Sequence, residues 1–390
     1  MGLSLLFITI ILYPALRSAA DTYNVVDYGA KADGGTDSGK SFLSAWAAAC
    51  GTSGPSTINV SSGKYLIGSP VVFSGKDCKS TDITFRIDGT LVASDYRKVG
   101  DADYWLKFDS VDGVTISGGI LDGQGASLWA CKNSRGGCPT GATSLRFTKS
   151  SNVAIYGLTS ANAKLFHIAI DGSNNVKIRG VKVSAPGGSP NTDGIHVEQS
   201  NRVLISSAQI ATGDDCISVG QGTSNLWIEN VSCGPGHGIS IGSLGKQMEE
   251  QGVENVTVKT VAFSGTENGV RIKCWARPSH GFVKNVVFQH ANMFNVQNPI
   301  IIDQNYCPHD QGCPNKASGI KISGITYQDI QGSSATQVAV KFDCSPKHPC
   351  TDISLQDIKL TYNNQPAQSS CAYADGSTNG AVNPASCLKQ

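Results

Sequence analysis

The chain has 390 residues, with 31 Lys and Arg against 30 Asp and Glu, so its net charge is close to zero. Charged residues make up only 16%, glycine is frequent at 44 residues, and there are 13 cysteines. The apolar content is too high for a disordered chain, and the balanced charge offers no overall field for nucleic acid or an anionic membrane. We therefore expect a folded protein, a monomer, without nucleic-acid or membrane partners.

The first twenty residues have the features of a secretory signal. Residues 3–16 form an apolar run too short to span a bilayer, and residues 18–20 are small, as a signal peptidase requires. We predict a signal peptide over 1–20 and a secreted domain over 21–390; an uncleaved N-terminal anchor is the alternative. Secretion makes the cysteines candidates for disulfides and makes three sequons usable, at Asn59, Asn230 and Asn255.

One short phrase recurs along the chain: an Asn, then Val or another apolar residue, then alternating apolar positions. Copies begin at Asn152, Asn175, Asn201, Asn225, Asn255 and Asn285, at intervals of 23, 26, 24, 30 and 30 residues. Short alternating strands repeated at such a period predict a solenoid. Helical patterning is scarce apart from residues 41–49, which predict one capping helix.

The predicted fold class is all-β, a single-domain right-handed parallel β-helix. Each repeat would supply three short strands, and successive coils would stack at about 4.8 Å. Inward Val, Ile and Leu side chains would form columns, while Gly and Asn supply the positive φ that corners need. A β-sandwich or a propeller is the alternative, but the sequence has few of the two-residue hairpin turns that both folds favour.

Four polar motifs occupy consecutive repeats. They are Asn191-Thr192-Asp193, Gly213-Asp214-Asp215, Gly236-His237-Gly238 and Arg271-Ile272-Lys273. The steps from Asp193 to Asp214 and on to His237 are 21 and 23 residues, about one coil each, whereas the 34 residues to Arg271 indicate a looped insertion at 245–252. We expect all four motifs on one side of the solenoid, in a cleft that is acidic at one end and basic at the other.

These residue types suit the cleavage of an acidic polysaccharide. Repulsion between the adjacent Asp214 and Asp215 should raise the pKa of one of them, which leaves one protonated and one ionised carboxyl. Glycosidic cleavage needs such a pair, an acid for the leaving oxygen and a base for water, and Asp193 adds a third carboxyl. Arg271 and Lys273 would face the same way on a strand, where two cations suit a substrate that carries carboxylates. Because the net charge of the chain is close to zero, the attraction for those carboxylates would be local to these two residues.

Each motif alone has an ordinary structural explanation, since Asp-Asp pairs in turns are usually just solvated. The combination at coil spacing is what indicates a site. His237, between two glycines, can reach a ligand or tune the acid, whereas His167 and His196 lie beside apolar strand residues and are expected to be structural. No metal or cofactor is expected, because the cysteines lack paired C-x-x-C spacing and the histidines are scattered.

The four motifs resemble the signature motifs of the polygalacturonases, which are pectin-cleaving glycoside hydrolases. The resemblance extends from Tyr23 to about Cys387, and residues 189–196 and 233–245 are similar to plant members in detail. It implies hydrolysis of α-1,4-galacturonan (homogalacturonan, pectin) with inversion, in the cell wall. The roles it implies are general acid for Asp214, activation of water for Asp193 and Asp215, support of the acid for His237, and substrate binding for Asn191, Arg271, Lys273 and Tyr306.

Residues 298–308 are similar to the pollen-type, exo-acting branch of this family. The resemblance implies exo action, with endo action as the alternative. We also expect, from the same resemblance, that the protein comes from pollen and is an allergen. Two other functions stay open. One is a pectate lyase, which typically relies on calcium-binding carboxylates and an Arg base. The other is a wall-binding β-helix without activity.

Twelve of the cysteines can pair with a near neighbour in the sequence. Proximity predicts the pairs Cys50–Cys78, Cys131–Cys138, Cys216–Cys233, Cys307–Cys313, Cys344–Cys350 and Cys371–Cys387. This leaves Cys274 unpaired, directly after Lys273, at a position where relatives usually carry Thr or Ser.

Overall fold

The computed structural model describes residues 20–99, 102–134, 137–308 and 311–389. These residues form a right-handed parallel β-helix, as the repeat predicts. The predicted signal over 1–20 lies, except for its last residue, outside the described residues. None of the helices in the described part of the chain is long and apolar enough to cross a bilayer.

Strands make up most of each coil. In chain order they are β1 (Asp21–Asn24), β2 (Asp33–Asp37), β3 (Ser56–Val60), β4 (Lys64–Ile67), β5 (Val71–Ser74), β6 (Ile83–Ala93), β7 (Tyr104–Asp109), β8 (Val114–Asp122), β9 (Thr143–Thr148), β10 (Ser151–Tyr156), β11 (Thr159–Ala161), β12 (Ile168–Asp171), β13 (Asn174–Arg179), β14 (Lys182–Ser184), β15 (Ile195–Glu198), β16 (Asn201–Ser206), β17 (Gln209–Ala211), β18 (Ile217–Val219), β19 (Ser224–Cys233), β20 (Ile239–Leu244), β21 (Val253–Ser264), β22 (Asn268–Trp275), β23 (Gly281–Val296), β24 (Asn298–Tyr306), β25 (Ile320–Ser334), β26 (Val338–Asp343), β27 (Cys350–Tyr362), β28 (Gln365–Pro366), β29 (Gln368–Ala372) and β30 (Ala374–Asn383).

The strands form two sheets that run along the helix axis. Sheet B comprises β5, β7, β9, β12, β15, β18, β20, β22, β24, β26 and β29, and sheet A comprises the others. Pairing is parallel in both sheets except for the small β27–β28 hairpin. A residue in one coil therefore pairs with its counterpart one repeat later, as Val176 of β13 pairs with Val203 of β16.

The N-terminal end of the helix is closed by α1 (Gly39–Gly51), in agreement with the predicted capping helix. Its buried face includes Phe42 and Trp46. The Trp46 ring packs 5.6 Å from Phe73 and 5.9 Å from Phe85, centroid to centroid, so α1 covers the apolar interior of the first coils. Two shorter helices, α2 (Tyr96–Val99) and α3 (Ala126–Asn133), and a 3-10 turn at Val25–Tyr28 lie outside the coils.

From residue 113 onward, the coils turn at two corners, and one residue at each corner has a left-handed φ. At the first corner these residues are Gly113, Asn152, Asn175, Arg202, Asn225, Asn255, Asn285, Gly324 and Asp352. At the second corner they are Gly157, Gly180, Ser207, Asn230, Thr260, His290, Asp329 and Asp357. Asn and Asp tolerate this conformation better than other residues with a Cβ, which explains why the repeated phrase begins with them.

Side-chain amides connect the first corner from coil to coil. Asn175 Nδ2 donates to Asn152 Oδ1 at 2.6 Å. In the next coil the corner position belongs to Arg202, because Asn201 pairs with Asn174 rather than with Asn175. The repeated phrase, when aligned on its Asn, is therefore one residue out of register at Asn201. The register of the strands is set by the buried apolar positions and not by the Asn.

The structure contains the six disulfides that sequence proximity predicts, and Cys274 is the free and buried cysteine. Of the three sequons, Asn230 and Asn255 are exposed and Asn59 is half-buried. Asn230 Nδ2 donates to Ser207 Oγ at 3.1 Å across the second corner. Glycosylation at the three positions stays a prediction.

The first corner can be tested at Asn175, whose φ is 55°. Asn175→Ala and Asn175→Gly both lose the bond to Asn152, but only Ala holds a Cβ in the left-handed conformation, at a cost of roughly 1–2 kcal/mol. The larger unfolded-state entropy of Gly offsets about 0.5–1 kcal/mol of that difference. We expect denaturant unfolding to find Asn175→Gly more stable than Asn175→Ala, with the exposed Lys182→Ala as control. Equal losses would contradict this account of the corner.

Candidate active site

The four predicted motifs converge on the outer side of sheet B. Asp193, the Asp214–Asp215 pair and His237 each lie just before a strand of this sheet, β15, β18 and β20 respectively. Backbone bonds join these turns: Gly194 N donates to the Asp215 carbonyl at 2.9 Å, and His237 N donates to the Asp214 carbonyl at 2.7 Å. Parallel stacking thus places the three carboxyls and the imidazole in adjacent coils.

A row of outward side chains forms the floor of this region. His196, Ser218, Ser240 and Arg271 pair in order across β15, β18, β20 and β22. The two serines are short, so the long Arg271 side chain can lie across the neighbouring coils, where its Nε donates to Ser240 Oγ at 2.9 Å. Sequence reasoning gave no role to these serines, because a Ser in a strand carries no signal of its own.

Asp215 is the most enclosed of the three carboxyls, and its two oxygens are fully engaged. Its Oδ1 accepts from Arg271 Nη2 at 2.8 Å and Ser240 Oγ at 2.7 Å, and its Oδ2 accepts from Lys273 Nζ at 2.7 Å. Burial alone would raise the pKa of Asp215, but the charges of Lys273 and Arg271 outweigh it and lower the pKa to about 2. Asp215 is therefore ionised at any physiological pH.

Asp193 is in the opposite electrostatic situation. Burial, followed by the nearby carboxyls of Asp214 and Asp215, raises its pKa to about 7; Lys273 and the Ser218 hydroxyl lower it only in part. The sequence argument expected the raised pKa within the adjacent Asp214–Asp215 pair. That expectation is wrong for Asp215, because the two cations on β22 reach this carboxylate and do not reach Asp193 with a hydrogen bond.

Asp214 is linked to an imidazole and then to a further carboxylate. His237 Nδ1 lies 3.1 Å from Asp214 Oδ1, and His237 Nε2 lies 3.4 Å from Glu267 Oε2. Burial would lower the pKa of His237, but Asp214 and then Glu267 outweigh it and raise the pKa above its usual value. Asn191 Nδ2 approaches the other Asp214 oxygen at 3.4 Å. Glu267 was missed in the sequence because no motif includes it.

The charges in the cleft are interleaved. The sequence predicted an acidic and a basic end, yet Arg271 and Lys273 contact Asp215 directly, and Arg271 Nη1 lies 3.8 Å from Glu267 Oε1. The two cations are also mostly buried, each with 7% of its surface exposed. Much of their charge is therefore balanced within the protein, although Lys273 keeps donors beyond the one that Asp215 accepts.

Two depressions of about 440 Å³ each adjoin the carboxyls. Asn191, Asp214, Lys273 and Tyr306 line both depressions, so Asp214 and Lys273 lie between the two. The Tyr306 ring lies 5.3 Å from Lys273 Nζ and 5.6 Å, at an angle of 78°, from the Trp275 ring. The predicted insertion after β20 borders the first depression with residues 246, 247 and 250.

His196 lies in the cleft, against the expectation that it is only structural. It lines the first depression, its ring packs 4.8 Å from Phe166, and its Nδ1 lies 2.8 Å from Ser218 Oγ. Its Nε2 is 3.5 Å from Glu198 Oε2. His167 is fully buried, with Nδ1 2.9 Å from Ser160 Oγ, as a structural histidine would be. Both follow apolar residues in the sequence, and only the register shows which one faces outward.

A metal would find poor ligands here. Asp214, Asp215 and His237 bring potential ligand atoms within 4.8 Å of one another. Both oxygens of Asp215 already accept hydrogen bonds from cationic side chains, however, and a divalent ion would have to displace Arg271 and Lys273. The donor set fits a charge-balanced carboxylate better than a metal ligand.

Asp215, whose pKa is lowered, and Asp193, whose pKa is raised, predict opposite effects of pH on stability. The effect of Asp193 can be tested as follows. The pKa of Asp193 is about 7 in the folded protein against 3.8 as the reference, so the folded state binds the extra proton between these values. The stability contributed by that proton is present below about pH 4 and is lost as the pH rises to about 7. In denaturant unfolding, Asp193→Asn should therefore gain stability relative to the wild type across this range. The exposed Asp352→Asn should not, and parallel pH profiles for Asp193→Asn and wild type would contradict the raised pKa.

Comparison with known proteins identifies the family. The model of glycosyl hydrolases family 28 matches residues 50–387. A polygalacturonase from Prunus persica is 62% identical over 389 residues, covering 99% of this chain and 98% of the relative. An exopolygalacturonase from Platanus acerifolia is 43% identical over 375 residues, covering 95% and 98%.

Solved structures share the fold. The endo-xylogalacturonan hydrolase from Aspergillus tubingensis superimposes with a TM-score of 0.81 at 24% identity, covering 93% of this chain and 99% of the other. The hyperthermoactive exopolygalacturonase from Thermotoga maritima superimposes with a TM-score of 0.70 at 19% identity, covering 92% of each chain. The match to the family over most of its length, together with the identity to plant relatives, shows that this chain belongs to glycosyl hydrolase family 28, among the plant polygalacturonases.

Proposed function

We propose that this protein hydrolyses the α-1,4 bonds of polygalacturonan, the acidic backbone of pectin, with inversion at the anomeric carbon. The observation that carries the hydrolysis is the convergence of three carboxyls with unequal protonation in one polar cleft, whereas inversion rests on the resemblance to the polygalacturonases. Asp215 is held ionised by Arg271 and Lys273, while Asp193 retains a proton up to about pH 7 and Asp214 faces both depressions.

The reaction needs one proton donor and one acceptor. Asp214, bonded to His237, protonates the leaving glycosidic oxygen as that bond breaks. A water oxygen attacks the anomeric carbon from the side of Asp193 and Asp215, and its proton passes to this pair of carboxyls. His237 is a positioning residue, because it acts through Asp214.

Substrate carboxylates would be bound by the donors that Asp215 leaves free. Lys273 has further N–H groups, and it lines both depressions together with Asn191 and Tyr306. The Tyr306 ring, next to Lys273, offers an apolar face to a sugar ring. We also propose an extracellular location in the cell wall, since six disulfides are typical of an oxidising compartment.

The proposed mode of attack is exo. The similarity of residues 298–308 to the exo-acting branch, and the relative from Platanus acerifolia, support exo action with release of galacturonate. A second candidate is endo action, which is favoured by depressions of similar size on both sides of Asp214 and Lys273. An endo enzyme binds several sugars on each side of the bond that it cleaves.

The proposed acid is tested by Asp214→Asn on polygalacturonate. Loss of a general acid should lower kcat by at least about 10²-fold, while Asp352→Asn, on an exposed corner, should leave it unchanged. Reducing ends should appear without an unsaturated product, and a chelator should not affect the rate. A chelator-sensitive reaction with ultraviolet-absorbing product would favour a lyase, and a wild type no faster than Asp214→Asn would favour a binding module.

The mode is tested by sizing the products over time on unesterified polygalacturonate. For exo action we expect galacturonate alone from the first minutes, with the polymer length falling slowly. A ladder of oligomers and a rapid fall in viscosity would contradict exo action and establish endo cleavage.

A further inference from the structure

A second surface feature lies on sheet A, between the two corners of each coil. The outward side chains there form two rows that cross β10, β13, β16, β19 and β21, and we call this surface the mid-coil face. The first row is Ala154, Lys177, Leu204, Trp227 and Thr257, and the second is Tyr156, Arg179, Ser206, Glu229 and Lys259.

The mid-coil face is concave. A depression of about 430 Å³ lies in it, lined among others by Tyr156, Arg179, Leu204, Ser206 and Glu229. Its shape follows from residue size along the rows, because Ser206 is short and stands between the longer Arg179 and Glu229. The Arg179 and Glu229 side chains on either side therefore stand above the floor at Ser206, and the depression lies between them.

Two aromatic side chains of the mid-coil face have large exposed areas: Tyr156, which lines the depression, and Trp227, which pairs with the lining residue Leu204. Tyr156 and Trp227 are each 40% exposed. The indole is also oriented, since Trp227 Nε1 donates to Glu229 Oε2 at 2.8 Å. Tyr and Trp, which combine an apolar ring with a polar end, are enriched at binding interfaces.

The same face carries cations without counterions. Among the described residues, no carboxylate forms an ion pair with Lys177, Arg179 or Lys259. Glu229 is the one acidic residue in the two rows; it accepts a hydrogen bond from Trp227 and lies opposite Lys259 in the pairing of β19 with β21. Arg179 and Lys259 are three rungs apart, roughly 14 Å at the strand spacing. The face therefore combines spaced positive charges with apolar rings.

That combination selects a ligand class. A chain of uronate sugars carries one carboxylate per ring and presents flat C–H faces, which match the cations and the aromatic rings respectively. We propose that the mid-coil face is a second binding site for an acidic polysaccharide, distinct from the catalytic cleft. It would hold the enzyme on its polymer while another stretch of chain occupies the cleft, and so raise the effective concentration of substrate there. This inference rests on the proposed function.

The experiment measures binding separately from catalysis. Every protein carries Asp214→Asn to stop hydrolysis, and Ser232→Ala to remove the sequon at Asn230, which lines the depression. Retention on immobilised unesterified polygalacturonate is compared with and without the pair Arg179→Gln and Trp227→Ala. We expect the pair to weaken binding by roughly tenfold and to reduce its dependence on salt.

Activity provides the second readout, in enzymes that keep Asp214. The pair should lower kcat/KM on long polygalacturonate and leave kcat/KM on a short galacturonate oligomer unchanged. The matched control is Phe294→Ala with Lys321→Gln, an exposed ring and an exposed lysine elsewhere on sheet A. This control should affect neither measurement.

Three outcomes would overturn the inference: unchanged retention, an equal loss of activity on polymer and on oligomer, or binding to anionic phospholipid vesicles in place of polygalacturonate. Failure of the proposed function looks different, because the wild type would then cleave neither substrate, while the retention measurement would still test the mid-coil face.

Discussion

In-register stacking of the coils is the constraint on which both the core and the candidate site depend. Hydrogen bonds between coils, such as Cys216 N to the Gly238 carbonyl at 2.8 Å, bring together residues that are about one repeat apart in the chain. Buried Val and Ile columns set this register, because a slip by one residue would turn every apolar side chain outward. The same register places Asp215 within reach of Arg271 and Lys273.

The charged cluster in the cleft is possible only because that register is rigid. Removing Asp215, Arg271 and Lys273 from water is costly, and the cost is offset only by close hydrogen bonds between them. Short residues at positions 218 and 240 leave the space in which the long cationic side chains reach Asp215. The result is one carboxylate, Asp215, whose pKa is lowered to about 2, beside a carboxyl, Asp193, whose pKa is raised to about 7 by burial and by the neighbouring Asp214 and Asp215.

The sequence predicts the backbone of this arrangement better than its side-chain contacts. Repeat length and motif spacing report which coils are neighbours, although the Asn phrase is one residue out of register at Asn201. The fold, the capping helix and the meeting of the four motifs could therefore be predicted. Pairing among the assembled side chains depends on rotamers and on neighbours from other coils. For that reason the contact of Arg271 with Asp215, the place of Glu267 beside His237, and the outward direction of His196 could not be read from the sequence.

The distribution of paired and unpaired cations changes how a nearly neutral protein would attract an acidic polymer. The sequence predicts that Arg271 and Lys273 alone attract the substrate carboxylates. Asp215 balances much of the charge of these two side chains, however, and both side chains are mostly buried. Unpaired cations at Lys177 and Arg179 lie instead on the outward surface of sheet A, where solvent and a long chain can reach them. In a solenoid every strand residue faces either the core or solvent. Under the proposed function, the cleft would hold balanced charges for chemistry, while the mid-coil face, on the outside of the same coils, would provide the charge for binding.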